Sequence, residues 1–495
     1  MNRRDLCTPG RALLTDPPPG VAVPAYDRDA LSVGIVHIGV GGFHRAHQAM
    51  YLDQLMNQGL ATDWASGGVG VLPGDVRMRD ALIGQDGLYS LVTKHSDGSR
   101  EARVIGSIIE YLLAPDDPER VIQRMTDPAV RIVGLTITEG GYLIDPATGE
   151  FALNGTAAAD LQSGATPQSA FGLVVEALRR RRAEGTAPFT ITSCDNVAHN
   201  GDVARRSFVG FARGLDDELA QWIEDEVTFP NAMVDRITPV TSDADRDELV
   251  QRFGINDAWP VVSEPFMQWV IEDRFPTGRP PYERVGVQMT DDVEPYELMK
   301  LRLLNASHQA LCYLGYLSGY RYAHEAMADE KITQFVRDYL RCEGVPSEPE
   351  VPGIDLADYC ASLIERFGNP EIRDTLARLC AESSDRIPKW LLPVVRTNLA
   401  SGGEVNRSAV VVASWARYAE GIDEHGEPIA VVDRLADELT ALAANQRDHP
   451  TAFLENRSLF GDLVDDARFT EPYLAALTTL HRHGAQALLA DLTRP

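Results

Sequence analysis

The first half of the chain alternates short apolar runs with helical segments, and this pattern restricts the fold more than any other feature. Each of the runs suits a buried strand: "VGIVHIGV" (33–40), "ASGGVGVL" (65–72), "RIVGLTIT" (131–138) and "FTITSCDN" (189–196). Strands that alternate with helices predict βαβ units and a parallel sheet covered on both faces. From about residue 295 onward nearly every segment reads as helix, beginning with 296–320.

The length of the chain supports a division at this change of pattern. With 495 residues, the chain is longer than a single hydrophobic core usually serves. We therefore expect an α/β domain with a parallel sheet over residues 1–290, followed by a mostly α-helical domain over residues 291–495.

Composition excludes several partners. The formal net charge of −27 would repel nucleic-acid phosphates and anionic membranes. No run of about 18 apolar residues predicts a membrane span, and the N-terminal segment lacks the apolar stretch of a signal peptide. The six cysteines include no C-x-x-C pair, which argues against a thiolate zinc site. We expect a cytoplasmic protein without a bound metal.

A glycine-rich turn follows the first strand. In "IGVGGFHRAH", Gly39 and Gly41 match the first two glycines of G-x-G-x-x-G, and His44 replaces the third. Such glycines allow a tight turn and let the backbone approach a pyrophosphate at a helix N-terminus. An acidic residue would then bind the adenosine ribose. Asp75 is the candidate, although it lies farther along the chain than the roughly 20 residues typical of this motif. An ordinary glycine turn and a solvated aspartate are the alternatives.

Polar residues also follow two later strands, in "TITEGGY" and "SCDNVAHNG". Ligands bind at the carboxyl ends of strands in open parallel sheets. Glu139, Asp195, Asn196 and His199 are therefore site candidates, although each could equally be a helix cap or turn residue.

The segment 296–320 carries Lys300, Asn305 and His308 on an otherwise apolar arc. In an α-helix, Asn305 would lie about 140° and His308 about 80° around from Lys300. Desolvation lowers the pKa of a lysine, so that it can act as a base, and an amide can stabilise an alkoxide. The alternative is a lysine that reaches solvent beside a buried structural histidine. Tyr296 and Lys300 also form Y-x-x-x-K, the pair of short-chain dehydrogenases, but the pair lies too far downstream of Gly39, and we reject Tyr296 as the base.

Several motifs together resemble the polyol-specific long-chain dehydrogenases. They run in order from about residue 25 to 490 and include "GVGGFHRAHQA", "TITEGGY", "SCDNVAHNG", "FPNAMVDRITP", "SEPFMQWVIEDRF" and "KLRLLNASH". The combination of K-x4-N-x2-H with an upstream S-C-D-N is specific. The resemblance implies a Rossmann-like N-terminal domain with a parallel sheet, a mostly helical C-terminal domain and a metal-independent site in the cleft between them.

The resemblance also implies catalytic roles. Lys300 would take the proton of the substrate hydroxyl, while Asn196 and Asn305 would hold the reacting oxygen. His308 would orient the substrate near the base, and Glu297 would gate the route of the proton to bulk water.

Binding residues are implied in the same way. Asp235, Arg378 and Arg386 would bind the substrate, although close relatives have a lysine at the last of these positions. The cofactor-binding set would be Gly39, Gly41, Gly42, Phe43, Arg45, Asp75 and Glu139. The family has an acidic pair where this chain has Gly74 and Asp75, so NAD is the expected cofactor, with some use of NADP.

The expected reaction is the NAD-dependent, reversible oxidation of a polyol to a ketose, D-mannitol to D-fructose. Alternatives within the same architecture are a broader polyol dehydrogenase acting on D-arabinitol or D-glucitol, and a reductase of fructuronate or tagaturonate. An NAD-binding sensor is the alternative that is not an enzyme. The expected partner is a small polyol or ketose, and the expected oligomeric state is a monomer.

Overall fold

The computed structural model of the chain describes residues 7–145, 149–162 and 164–493. The first six residues of the N-terminal segment, on which the expectation of no signal peptide partly rests, lie outside this set. The chain divides into two compact units, Met1–Val293 and Glu294–Pro495.

The strands lie in the first unit. They are β1 (Val21–Ala22), β2 (Val33–Ile38), β3 (Ala65–Gly70), β4 (Tyr89–Lys94), β5 (Arg100–Ile105), β6 (Ile108–Leu113), β7 (Ile132–Leu135), β8 (Thr190–Ser193), β9 (Ala232–Asp235), β10 (Val261–Ser263), β11 (Gln268–Glu272) and β12 (Gln288–Thr290).

The helices of this unit are α1 (Arg11–Thr15), α2 (Gly42–Ala46), α3 (Gln48–Asn57), α4 (Val76–Gly84), α5 (Pro118–Thr126), α6 (Gly155–Asp160), α7 (Ala170–Glu184), α8 (Asn200–Arg213), α9 (Asp217–Glu226) and α10 (Asp243–Phe253). Short 3₁₀ turns cover Arg28–Ala30, Pro73–Asp75, Glu139–Tyr142 and Tyr282–Val285.

A five-stranded parallel sheet forms the centre of the first unit, in the order β6-β3-β2-β7-β8. Four of its five strands, β2, β3, β7 and β8, correspond to the predicted apolar runs, whereas β6 was not predicted. The α/β fold with a parallel sheet is confirmed. Val36, Val133 and Ile191 are fully buried in the same core as Leu173 of α7 and Phe208 of α8. Helices therefore supply the apolar cover that a parallel sheet needs.

The order of the strands reverses direction between β2 and β7. From β2 the chain proceeds outward through β3 to β6, and then returns to the other side of β2 to form β7 and β8. This is the topological switch point at which open α/β sheets bind ligands. Two smaller sheets, β1-β5-β4-β10 and β12-β11-β9, complete the unit.

The described residues of the second unit form helices joined by loops, without a strand. Its α-helices are α11 (Glu294–Met299), α12 (Ala306–Leu317), α13 (Ala323–Met327), α14 (Glu330–Tyr339), α15 (Leu356–Phe367), α16 (Leu376–Cys380), α17 (Ser383–Trp390), α18 (Leu392–Ser401), α19 (Asn406–Tyr418), α20 (Ala436–Asn445), α21 (Arg457–Phe460), α22 (Ala467–His483) and α23 (Ala485–Leu492). Two π-helical turns, π1 (Lys300–Asn305) and π2 (Leu340–Gly344), and two 3₁₀ turns (Val345–Ser347 and Leu463–Asp465) interrupt them.

The segment predicted as one α-helix from 296 to 320 differs from that expectation. Residues 294–317 do form one unbroken helix, but π1 lies within it. The amide of Ala306 donates to the carbonyl of Leu301, five residues back, which is the hydrogen bond that defines a π-turn. A helical wheel at 100° per residue therefore misplaces the residues on either side of it.

Among the residues that the structure describes, no helix is both long enough and apolar enough to cross a membrane.

The close approach of Gly39 to Thr136 at the switch point can be tested by substitution. The backbone of Gly39 has a φ of 92°, and a Cβ there would lie 2.1 Å from the carbonyl oxygen of Thr136. Gly39→Ala should therefore lower the free energy of unfolding by about 2–4 kcal/mol, measured by urea denaturation. Gly84→Ala is the matched control, since a Cβ at that helical position meets nothing within 4 Å. Equal stability of the two variants would contradict the assigned contact.

Candidate active site

The glycine turn after β2 is held by the neighbouring strand β7. The hydroxyl of Thr136 donates to the carbonyl of Gly39 over 2.5 Å and accepts a hydrogen bond from Nε2 of His37 at 2.9 Å. The amide of Gly41 donates to Gly39 O at 2.8 Å. Because Gly39 has no room for a side chain and Gly41 is exposed at the start of α2, the turn presents bare backbone at the switch point. This is the kind of surface that a dinucleotide pyrophosphate needs.

His44 and Phe43 pack beside this turn. The ring of His44, which replaces the third glycine of the motif, stacks on His37 with 3.5 Å between centroids. Burial lowers the pKa of His44 to about 3, so its ring is neutral. Phe43 is half-buried and stacks on His47 at 4.8 Å. A Cβ at Gly42 would meet only ordinary van der Waals contacts, so its predicted role rests on the backbone alone.

The side chain of Arg45, which was expected to bind the cofactor, makes contacts inside the protein. The side chain is 1% exposed, its guanidinium lies 5.1 Å from the ring of Tyr89, and Nη1 donates to the carbonyl of Trp259. The guanidinium is therefore directed into the protein and supports α2 from beneath. Contact between Arg45 and the cofactor stays a prediction.

Asp75 closes the loop that follows β3. Its Oδ2 accepts hydrogen bonds from the amides of Val71 and Leu72, both at 2.9 Å. Its other oxygen, Oδ1, forms no hydrogen bond with the residues that the structure describes. One half of the carboxylate therefore shapes the loop, and the other half remains able to accept from a ribose hydroxyl.

Asp195 organises the polar segments after β7 and β8. Its carboxylate accepts from the amides of Ile137 (3.0 Å) and Thr138 (2.9 Å) and from the hydroxyl of Tyr142 (2.7 Å). Burial raises the pKa of Asp195, although these three donors act in the opposite direction. The structure thus joins the segment that carries the exposed Glu139 to the segment that carries the exposed Asn196.

The backbone in this region is strained. Thr138 has a φ of 68°, and His199 has a φ of 51°. Non-glycine residues in such conformations concentrate at functional sites. Sequence reasoning identified Asp195 but missed Tyr142, because an aromatic residue after a glycine pair carries no local signal of a buried hydrogen bond.

Asp235 is the last residue of β9. It is buried, and it lies opposite Gln268 of β11 in the small antiparallel ladder. Its position at a strand end had no signature beyond the family resemblance, and its contact with substrate stays a prediction.

In the second unit, Lys300 and Asn305 are the first and last residues of π1. Because the hydrogen bonds of a π-turn join residues five apart, the two residues lie nearer to one face of the helix than the separation of about 140° calculated for an α-helix. Lys300 is half-buried, while Glu297, Asn305 and His308 are buried. The Nδ2 of Asn305 has no hydrogen-bond partner within the described part of the chain. A buried amide donor without a partner is suited to an oxygen atom of a ligand.

Two residues that contact this helix, Phe367 and Pro352, were not predicted from the sequence. The ring of Phe367, at the end of α15, packs against His308 with 4.3 Å between centroids. The buried Tyr296 donates its hydroxyl to the carbonyl of Pro352 at 2.8 Å, which agrees with its rejection as a base.

The two predicted substrate arginines lie close together. Arg386 Nη1 donates to the carbonyl of Arg378 at 2.9 Å, and Arg378 Nε donates to Asp374 at 2.6 Å. Helix α12 is tied to the same region, because Gln309 Nε2 donates to the carbonyl of Leu379 at 3.3 Å. Within the second unit, the structure therefore joins the helix of Lys300 to the segment of both arginines.

No cluster of three or more histidine, cysteine, aspartate or glutamate residues among the described residues could hold a metal ion.

Comparison with known proteins identifies the family. The Rossmann domain of mannitol dehydrogenase matches residues 33–284, and the mannitol dehydrogenase C-terminal domain matches residues 292–481. The chain is 46% identical over 476 residues to a mannitol 2-dehydrogenase of Phaeosphaeria nodorum, covering 95% of this chain and 83% of that protein. It is also 46% identical over 480 residues to the mannitol 2-dehydrogenase of Aspergillus fumigatus, with 95% of each chain covered.

Solved structures agree over the whole chain. The ternary complex of Pseudomonas fluorescens mannitol 2-dehydrogenase with NAD and D-mannitol is 44% identical, with a TM-score of 0.86, and the match covers 99% of this chain and 100% of that one. A substrate-free D-sorbitol dehydrogenase is 38% identical, with a TM-score of 0.92 and coverage of 98% and 100%. With both family domains matched in order along its length, the chain belongs to the mannitol dehydrogenase family.

Proposed function

We propose that this chain catalyses the NAD-dependent oxidation of a polyol at a secondary alcohol, with D-mannitol and D-fructose as the substrate pair. One observation supports this function above all. The half-buried Lys300 lies one π-turn from the buried Asn305, whose Nδ2 has no hydrogen-bond partner among the described residues. A base and an oxyanion donor aligned on a largely apolar helix are what proton removal from an alcohol requires.

The residues of the second unit carry the proton chemistry. Lys300, as the neutral amine, takes the hydroxyl proton. The Nδ2 of Asn305 donates to the oxygen as negative charge develops there. Glu297 lies three residues before Lys300, on the same helical face, and passes the proton toward water. Asn196 belongs to the first unit, and its pairing with Asn305 stays a prediction.

The hydroxyls of the substrate need hydrogen-bonding partners, and we assign this role to a histidine, two arginines and an aspartate. His308 is packed against Phe367, which restricts the orientation of its ring. Arg378 and Arg386 are joined through a backbone carbonyl, and each guanidinium has more donors than its observed bonds occupy. We assign these arginines, together with Asp235, to polyol hydroxyls.

The first unit fits the dinucleotide. The exposed backbone at Gly41 and Gly42 would hold its pyrophosphate, and Oδ1 of Asp75 would accept from its ribose. NAD, when bound, accepts the hydride from the carbinol carbon. We extend the proposal to some use of NADP, since Gly74 adds no second carboxylate beside Asp75.

A second substrate has specific support. One of the two solved relatives, 38% identical over nearly the whole chain, is a D-sorbitol dehydrogenase, so D-glucitol is the alternative to D-mannitol. We also propose a monomer, because a net charge of −27 keeps copies apart. A cytoplasmic location is supported by the six cysteines, all of which are free thiols, as in a reducing compartment.

A substrate panel tests the reaction. With NAD in excess, D-mannitol should give the highest kcat/KM among D-mannitol, D-glucitol, D-arabinitol and the hexonates that correspond to fructuronate and tagaturonate. Chromatography should identify D-fructose as the product. A higher value with another polyol would reassign the substrate, and NAD binding without reduction by any of them would favour a sensor.

Lys300→Ala tests the base. Loss of an acid–base group should lower kcat at least about 100-fold. The dissociation constant of NAD, measured by calorimetry, should change little because the glycine turn lies in the other unit. Lys331→Ala is the control, since the side chain of this exposed lysine donates to Gln486, away from π1. Activity within a few-fold of the unmodified enzyme would show that Lys300 is not the base.

Gly74→Glu tests the cofactor preference. The position is exposed, and a Cβ there meets nothing within 4 Å, so the new side chain fits without strain. A second carboxylate should repel the 2′-phosphate and raise the NAD-to-NADP ratio of kcat/KM by roughly 10-fold. The neutral Gly74→Gln variant controls for size. A ratio that rises equally in both variants would rule out the electrostatic explanation.

A further inference from the structure

The π-turn that aligns Lys300 with Asn305 needs support from outside its own helix. π-helical geometry is rare and appears mostly as single turns at functional sites. A π-turn displaces carbonyls from their α-helical donors, and buried carbonyls need other partners. The carbonyls of π1 are therefore expected to accept hydrogen bonds from side chains.

Side-chain hydroxyls donate to three consecutive carbonyls of this turn. Ser307 Oγ lies within hydrogen-bonding distance of the carbonyls of Leu303 and Leu304, the latter at 3.0 Å. The hydroxyl of Tyr339 donates to the carbonyl of Arg302 at 3.0 Å. Ser307 belongs to the same helix, whereas Tyr339 comes from α14 and is the donor that can fix π1 in space.

The surroundings of Tyr339 make this contact rigid. Its side chain is 0% exposed, and burial raises the pKa of its hydroxyl well above the ordinary value, so the hydroxyl keeps its proton and donates it. The turn π2 begins at the next residue and packs against π1. A Cβ on Gly344 of π2 would lie 2.9 Å from Cδ2 of the buried Leu303, so the two turns are in close contact.

A third contact ties the same residues together. Arg302 Nη1 donates to the carbonyl of Ser347, just beyond π2. Tyr339 therefore holds the backbone of Arg302, and Ser347 holds its side chain. Arg302 lies two residues after Lys300 and three before Asn305.

We propose that Tyr339 is a positioning residue, whose hydrogen bond to the carbonyl of Arg302 holds π1 in the geometry that aligns Lys300 with Asn305. The inference rests on the proposed function for the roles of those two residues. It adds that the alignment is imposed from the end of α14, next to the second π-turn, and that losing one hydroxyl, which touches no reacting atom, impairs the chemical step.

The test is Tyr339→Phe, with Tyr473→Phe as the matched control. Tyr473 is also 0% exposed, lies in the same unit and has a hydroxyl without a partner among the described residues. Tyr339→Phe should lower kcat roughly 10- to 100-fold, the scale of a small misplacement of catalytic groups. KM for the polyol and the dissociation constant of NAD should change less than threefold. The midpoint of the pH profile of kcat should also move, because the surroundings of Lys300 change.

Hydrogen exchange provides a readout that is independent of activity. Amides of residues 300–306 should exchange faster in Tyr339→Phe than in Tyr473→Phe. Unchanged exchange, or a kcat and pH profile equal to those of the control, would overturn the proposal. Failure of the unmodified enzyme to oxidise any polyol would instead refute the proposed function, while the exchange result would still judge the role of Tyr339 in π1.

If Tyr339→Phe does not fold, Gly344→Ala gives the same test from the other side. Its Cβ would press on Leu303 and displace π1 without removing a hydrogen bond. The expected result is again a 10- to 100-fold fall in kcat with near-constant KM. A folded Gly344→Ala enzyme with normal kcat and normal exchange would overturn the proposal.

Discussion

The first unit depends on the close approach of Gly39 to Thr136. The carbonyl oxygen of Thr136 occupies the place where a side chain on residue 39 would stand, and its hydroxyl holds the carbonyl of that glycine. This contact brings the ends of β2 and β7 together at the point where the strand order reverses. Asp195 extends the same arrangement to β8 by holding the amides that follow β7. The polar segments after the three strands are thereby fixed relative to one another.

Local patterns in the sequence were sufficient for most of the parallel sheet. Apolar runs located four of its five strands within a few residues, because buried strands need continuous β-branched and aliphatic side chains. The K-x4-N-x2-H spacing marked the helix to which we assign the proton chemistry, because its polar residues interrupt an arc that packing would otherwise make apolar.

Features that depend on distant contacts could not be predicted. The carbonyl that accepts the hydrogen bond of Arg45 belongs to Trp259, so this contact could not be predicted from the glycine-rich motif. The π-turn was missed because a helical wheel assumes a constant rotation per residue, and the donor that sustains the turn lies on a different helix. In both cases the deciding partner is remote in sequence and is supplied by tertiary structure.

The π-turn also has a consequence for how the helix can evolve. It accommodates one more residue per turn than an α-helix, so α11 before it and α12 after it are out of phase with each other. Each half can therefore form its own hydrogen bonds: Tyr296 of α11 donates to the carbonyl of Pro352, and Gln309 of α12 donates to the carbonyl of Leu379. Deleting a single residue within 300–305 would restore an uninterrupted α-helical phase and force one half to abandon its neighbours. Length in this segment is therefore constrained as strictly as residue identity, and homologues should vary here by substitution and not by insertion or deletion.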